Sequence, residues 1–232
     1  LLFCTGVPTV DAASNGWKYE SGKWYYYISG RKATGWLLAP DKKWYYLDKS
    51  GAMQTGWLKL GDKWYYLKND GSMAVGWQYI NKKWYYFATS GVMQTGWVYE
   101  KGTWYYLKSD GSMATGWLNL NGATYYLHLD GSMATGWTEI NNQKYFFASS
   151  GSLKLSSKLV GNKQVFVKPD GSPASGWYWL DDSWYYFQSN GAMQLGWLTL
   201  DDKVYYFKPD GRMAMNWLFI GNRWYYFNSS GE

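Results

Sequence analysis

The chain has 232 residues, of which 18 Trp, 24 Tyr and 9 Phe make 22% aromatic against only 17% charged. A negative mean hydropathy and the lack of any eighteen-residue apolar window exclude a membrane-spanning helix, and the aromatic load excludes a disordered chain. Lys and Arg number 23 and Asp and Glu 17, so the net charge is +6, spread along the chain; it points toward an anionic partner without deciding one. With one Cys and one His, neither an internal disulfide nor a zinc site can be assembled, and no metal or cofactor is expected.

Residues 1–15 open with LLFCTGVPTVDAAS, an apolar stretch with a small-residue ending. It reads as the remnant of a secretory signal peptide whose cleavage falls near Ala13, although the basic start of such a signal is missing; the alternative is an ordered apolar strand. An exported, secreted protein is the expectation, with Cys4 unpaired.

From Gly16 to Glu232 the chain repeats a unit of about twenty residues, and this repeat sets the architecture. Gly-Trp steps fall at Trp17, Trp36, Trp57, Trp77, Trp97, Trp117, Trp137, Trp177 and Trp197, Trp217 follows Asn216 in the same register, and Ser157 stands where one more is expected. A second indole follows at Trp24, Trp44, Trp64, Trp84, Trp104, Trp184 and Trp224, usually continued by Tyr-Tyr and then Phe or Leu. Eleven units result, the last truncated.

Within a unit, KWYYL at 63–67 has the aromatic and apolar character of a strand and no helical stripe. The turn sequences KNDG at 68–71, KSDG at 108–111 and KPDG at 168–171 and 208–211 put Gly where positive φ is needed. The spacing therefore predicts a hairpin whose second strand is SMAVGW at 72–77. Twenty residues cannot build a core, and alternate residues of KWYYL are large on both faces, so each hairpin needs neighbours on both sides. The expected fold is all-β, a single solenoid of stacked hairpins.

Carboxylates lie mainly next to turn Gly residues (Asp70, Asp110, Asp130, Asp170, Asp210), where local backbone hydrogen bonding explains them, or in short loops (Asp41, Asp62, Asp181, Asp182, Asp201, Asp202). No nucleophile, base and orienting group can be gathered from these, so an enzyme is not expected. The paired indoles, by contrast, offer electron-rich faces that hold quaternary ammonium groups by cation–π attraction or sugars by stacking.

The units GWLKLGDKWYYLKNDGSMAV, GWQYINKKWYYFATSGVMQT and GWVYEKGTWYYLKSDGSMAT closely resemble the choline-binding repeats of pneumococcal-type surface proteins and cell-wall hydrolases. The resemblance implies a left-handed superhelix of β-hairpins with choline caught between consecutive hairpins. It also implies the ligand phosphocholine on teichoic and lipoteichoic acids, and hence non-covalent attachment to the Gram-positive cell wall. In that family each cage combines the Gly-Trp indole, the next Trp and the second Tyr of the following unit. Carried over, this gives Trp17, Trp24 and Tyr46; Trp36, Trp44 and Tyr66; Trp57, Trp64 and Tyr86; Trp77, Trp84 and Tyr106; Trp97, Trp104 and Tyr126; and Trp177, Trp184 and Tyr206. Met53, Met73, Met93, Met113, Met133 and Met213 fall where a thioether would add a fourth wall, although plain hairpin packing explains them equally.

The units between about 117 and 175 depart from the pattern: Thr124, Lys144 and Gln164 replace indoles, and Leu153 and Pro173 replace Met. Those cages are expected to stay empty of choline while the hairpins continue uninterrupted. Val204 weakens the cage of Trp197 and Tyr226. The competing reading is a carbohydrate-binding repeat protein of the glucan-binding kind; single-stranded nucleic acid fits a modestly charged chain poorly. An effector role, in adhesion to host surface molecules or competition for wall sites, would reside on the solenoid's own surface, or else the chain is a piece of a longer protein. The oligomeric state is left open.

Overall fold

The computed structural model describes residues 15–232, so the expected signal remnant with Cys4 and Ala13 lies outside the described residues. Among the described residues every regular element is a β-strand, and the strands pair as antiparallel hairpins. In Gly56–Leu60 with Lys63–Leu67, Trp57 lies opposite Tyr66 and Lys59 opposite Trp64. The same register recurs as Trp36 opposite Tyr46, Trp77 opposite Tyr86, Trp177 opposite Tyr186 and Trp197 opposite Tyr206.

This corrects the expected hairpin. The two strands meet across the short polar loop between the two indoles, not across KNDG. Several of these loops hold both central residues at positive φ, as at Asn81 and Lys82 (49° and 63°) and Asp181 and Asp182 (49° and 54°). That is the primed turn whose twist matches the flanking strands, and Asn and Asp tolerate it best. KNDG still reverses the chain: Gly71 N–H donates to the Lys68 carbonyl at 2.8 Å, and one bridge joins Leu67 to Met73. The pairing ends one step on, where Ala74 N–H donates to the Tyr66 carbonyl at 2.8 Å, and Gly76, at φ +66°, turns the chain into the next hairpin.

Alternation along each strand gives every hairpin two faces. Trp57, Trp64 and Tyr66 share one face, turned toward the following hairpin; Leu58, Tyr65 and Leu67 share the other, turned toward the preceding one. The last residue of most second strands is fully covered, as at Leu47, Leu67, Phe87, Leu127, Phe187 and Phe207. Burying each contributes about 1.5–3 kcal/mol. Backbone hydrogen bonds tie one hairpin to the next: Met53, Met73 and Met93 N–H donate to the carbonyls of Trp24, Trp44 and Trp64 at 2.7–2.8 Å.

The Met side chains fasten a further repeat. A Cβ added to Gly71, itself at φ +79°, would stand 2.3 Å from Met53 Sδ, and Gly91 and Gly111 stand likewise to Met73 and Met93. Gly71→Ala should therefore lower unfolding free energy by about 1–3 kcal/mol, from left-handed backbone strain and a displaced Met53. Urea denaturation checks this, and an unchanged midpoint would show that the thioether moves aside freely.

The described chain divides into two compact units: one runs up to Tyr99 and includes Tyr106–Met113, the other comprises Glu100–Tyr105 and Ala114–Glu232. In the first the repeats are regular. The second contains the irregular repeats, and there the expectation of uninterrupted hairpin stacking is corrected. Gly136–Ile140, Gln143–Phe147, Leu153–Val160 and Lys163–Val167 join into one four-stranded antiparallel sheet. The cause is local. Ser156 stands where other repeats have the Gly that turns the chain, so Leu153–Val160 runs straight through and pairs with Gln143–Phe147. Hairpin pairing persists within the sheet, but Leu155 and Ser157 are buried in it, and Pro173, lacking an N–H, cannot supply the bond that Met supplies elsewhere.

The turn aspartates also hold the connections. Asp70 Oδ1 accepts from Ser72 Oγ at 2.5 Å and from Ser72 N–H at 2.9 Å, and Asp110, Asp130 and Asp170 repeat this with Ser112, Ser132 and Ser172. These bonds, the serine hydroxyl first and the backbone N–H second, lower the carboxyl pKa in each case, at Asp110 to about 2. A group whose folded pKa is depressed adds stability above its unfolded pKa and loses it as pH falls through the folded value. The melting temperature should therefore hold above about pH 5 and fall steadily from about pH 4 to pH 2. A scan of melting temperature against pH tests this; a flat acid limb would mean the Asp–Ser turns add nothing.

Candidate functional site

Because one hairpin presents its indoles forward and the next presents a tyrosine backward, ring-walled clefts form between them. Trp36 and Trp44 meet at 6.5 Å with planes 85° apart, and Tyr65 closes on Trp36 at 5.0 Å. With Met73 these three rings line a cleft of about 290 Å³ rimmed by Thr89 and Ser90. Trp57 with Trp64 (6.1 Å) and Tyr85 (4.9 Å) repeats the geometry, as does Trp177 with Trp184 (6.1 Å) and Tyr205 (5.0 Å). At Trp17 the partner is Tyr45 at 4.8 Å, Trp17 and Met53 both pack against the cluster of Ala39, Tyr45 and Leu47, and Trp24 turns toward Tyr19 at 5.2 Å. Near-perpendicular indoles with a third ring present several faces to one small volume, and Trp44, Trp64 and Trp184 remain 38–42% exposed, so the volume is open.

The tyrosines expected in the cages are placed differently. Tyr46, Tyr66, Tyr86, Tyr106, Tyr126 and Tyr206 lie against the Gly-Trp indole of their own hairpin, Trp36, Trp57, Trp77, Trp97, Trp117 and Trp197, at 5.0–5.3 Å. The ring that crosses to the preceding hairpin belongs to the first Tyr of each pair, so Tyr45, Tyr65, Tyr85 and Tyr205 take the places expected for Tyr46, Tyr66, Tyr86 and Tyr206. The reason is strand alternation: Tyr66 shares the forward face with Trp57, and only Tyr65 points back. Of the Met series, Met73 lines the Trp36 cleft, and Met113, Met133 and Met213 donate their N–H groups to the carbonyls of Trp84, Trp104 and Trp184. Trp77 and Trp84 meet at 6.4 Å, as in the regular hairpins.

The cage walls are apolar and uncharged. Tyr45 is held as a neutral phenol, pushed up to about 12 by burial and by donating to Asp41 at 2.8 Å. Such a box has no hydrogen-bonding demand on its guest, and what it offers is ring faces and a polarizable sulfur, the requirements of a compact cation without N–H groups. Among the described residues no cluster of His, Cys, Asp and Glu could hold a metal.

The irregular repeats depart in defined ways. Trp117 has Tyr145 at 4.9 Å, but Thr124 replaces the second indole and is bonded to Asn119 at 2.7 Å. Trp197 has Tyr225 at 4.9 Å with Val204 in that position. Trp137 meets Phe166 at 5.4 Å and Tyr185 at 5.9 Å, with Lys144 where the indole would be.

The choline-binding repeat family model matches residues 34–76, 74–116, 114–158, 174–216 and 195–232. The unmatched stretch 159–173 falls on the end of the fused sheet. No curated protein matches the sequence. Among solved structures, CbpJ from Streptococcus pneumoniae TIGR4 is 29% identical over 94% of this chain and 92% of its own, with a TM-score of 0.57. Choline binding protein F from Streptococcus pneumoniae is 29% identical over 94% and 93%, with a TM-score of 0.45. The modular autolysin LytC from the same species is 26% identical over 86% of this chain, which spans about half of LytC (52%), with a TM-score of 0.45. Repeats matched over most of the chain, the CbpJ likeness and recurrent ring cages lead to one assignment: the chain belongs to the choline-binding repeat family and is a choline-binding protein.

Proposed function

We propose that the clefts at Trp17, Trp36, Trp57 and Trp177 are its choline sites, and that the same residue pattern at Trp77–Trp84 serves alike. The observation carrying this is the box of Trp36, Trp44, Tyr65 and Met73, open to solvent and walled by ring faces and a thioether. The protein attaches non-covalently to phosphocholine on teichoic and lipoteichoic acids at the bacterial surface, as a binding protein without catalytic activity of its own. Each desolvated cation–π contact contributes about 2 kcal/mol, so a three-ring cage, less ordering costs, gives about −4 kcal/mol and a Kd on the order of 1 mM.

Retention on a choline or tertiary-amine resin, with elution by free choline, is the expected result. Flow-through at low salt, or elution by a soluble glucan in place of choline, would overturn the reading.

A further inference from the structure

Trp137 anchors a site that the regular pattern does not explain. Because the 153–167 hairpin is drawn into the fused sheet, Val165 stands where a cage tyrosine would, and the ring comes instead from the hairpin after it, Tyr185. Met193 takes the thioether position, and Phe166 adds a further ring. The apolar half of a cage is thus rebuilt with parts from two repeats onward.

The remaining wall is changed in kind. Lys144 occupies the position of the second indole, and the cleft, about 380 Å³, exceeds the 290 Å³ of the Trp36 cage by about 90 Å³. Among the described residues Lys144 forms no ion pair, even though Glu139 lies directly opposite it in the hairpin. Arg212, the other cation lining the cleft, is committed to Asp210 at 2.6 Å. Asp181 also lines the cleft, its carboxylate oxygens 3.9 Å from where a Cβ on Gly136 would stand. The cleft therefore brings together a set of rings with a thioether, the Asp181 and Glu139 carboxylates, the Asp210–Arg212 pair and the Lys144 ammonium.

We propose that this site takes a zwitterion whose quaternary ammonium lies among Trp137, Tyr185 and Met193 beside Asp181, and whose phosphate is met by Lys144; that is, intact phosphocholine in preference to choline. The proposal rests on the choline reading of the regular cages and extends it: those cages read only the ammonium group, whereas this one reads the anion attached to it. Free choline loses an indole wall here and leaves Lys144 facing its positive charge. The phosphate of phosphocholine answers that charge. An exposed ion pair of this kind is worth about five-fold in affinity.

The full chain labelled with 5-fluorotryptophan, with the Trp137 resonance assigned by Trp137→Phe, tests this by fluorine NMR titration. The Trp137 signal should respond to phosphocholine at about five-fold lower concentration than to choline, while the regular cages respond to both alike. Lys144→Gln should abolish the preference and Lys144→Arg should retain it; Lys144 is exposed, so both variants should fold. Equal midpoints at Trp137, or a preference that survives Lys144→Gln, would overturn the proposal. So would a full Trp137 response to inorganic phosphate alone, which would mean a simple anion site. If choline moved no indole signal anywhere, the choline reading itself would fall instead.

Discussion

Phe87→Ala is expected to cost about 3–5 kcal/mol of unfolding free energy, whereas Trp64→Ala, two strands away in the same stack, should cost only about 1–2 kcal/mol. Phe87 has no exposed surface, closes the space between Trp57 at 5.9 Å and Tyr66 at 6.5 Å, and packs with Ala74 and Ile80. Its removal leaves a cavity that rigid strands on both sides cannot fill. Trp64 is 38% exposed and forms the open wall of a cage, so its loss removes a binding surface more than a core. Function should move the other way: Trp64→Ala abolishes choline binding at Trp57 in a protein that still melts cooperatively, while Phe87→Ala loosens the repeats around it. Since contacts run between neighbouring hairpins, damage in both cases should stay local. Urea melts paired with choline titration test the contrast. Similar stability losses would mean that the indole is part of the core after all.

Much of this could be read from the sequence, and what could not was hidden for particular reasons. The Gly-Trp period and the two indoles per unit marked the hairpins and the ring faces they offer, while the placing of choline cages between hairpins came from the family resemblance, and the Met positions were equally explained by packing. Which reversal makes the hairpin was ambiguous, since Gly61-Asp62 and Asn69-Asp70-Gly71 both have turn chemistry. The ladder chose the former, and the choice of tyrosine followed: once Trp57 is known to lie opposite Tyr66, alternation sends Tyr65 backward to Trp36. Without the register, Tyr65 and Tyr66 cannot be told apart, as a shift of one residue exchanges the faces. The fused sheet depended on Ser156 replacing a turning Gly. The missing Trp at Ser157 drew notice because it removed a cage wall; its neighbour, without ring or charge, governs the backbone.

Polymeric phosphocholine should bind on the order of 10²-fold more tightly than free choline, and this gain should come from site number, not from new contacts. Once one cage is engaged, each further cage meets its ligand at an effective concentration of a few mM, set by the spacing along the polymer. Against a Kd of about 1 mM, every added site multiplies affinity by about four, and three added sites give close to 10². One ring should therefore be legible in the polymer affinity. Tyr65→Ala removes the wall that the following hairpin lends to Trp36, at 5.0 Å, and should lower choline stoichiometry by one and polymer affinity by about four-fold. Tyr66→Phe removes only a hydroxyl from a ring that lies on Trp57 at 5.3 Å within its own hairpin, and should leave both values unchanged. Calorimetry with free choline and surface binding to a choline-bearing polymer, run on the two variants, decide the matter. If Tyr66→Phe lost a site while Tyr65→Ala kept it, the cage would belong to the second tyrosine. If polymer affinity equalled that of free choline, the cages would not be engaging together.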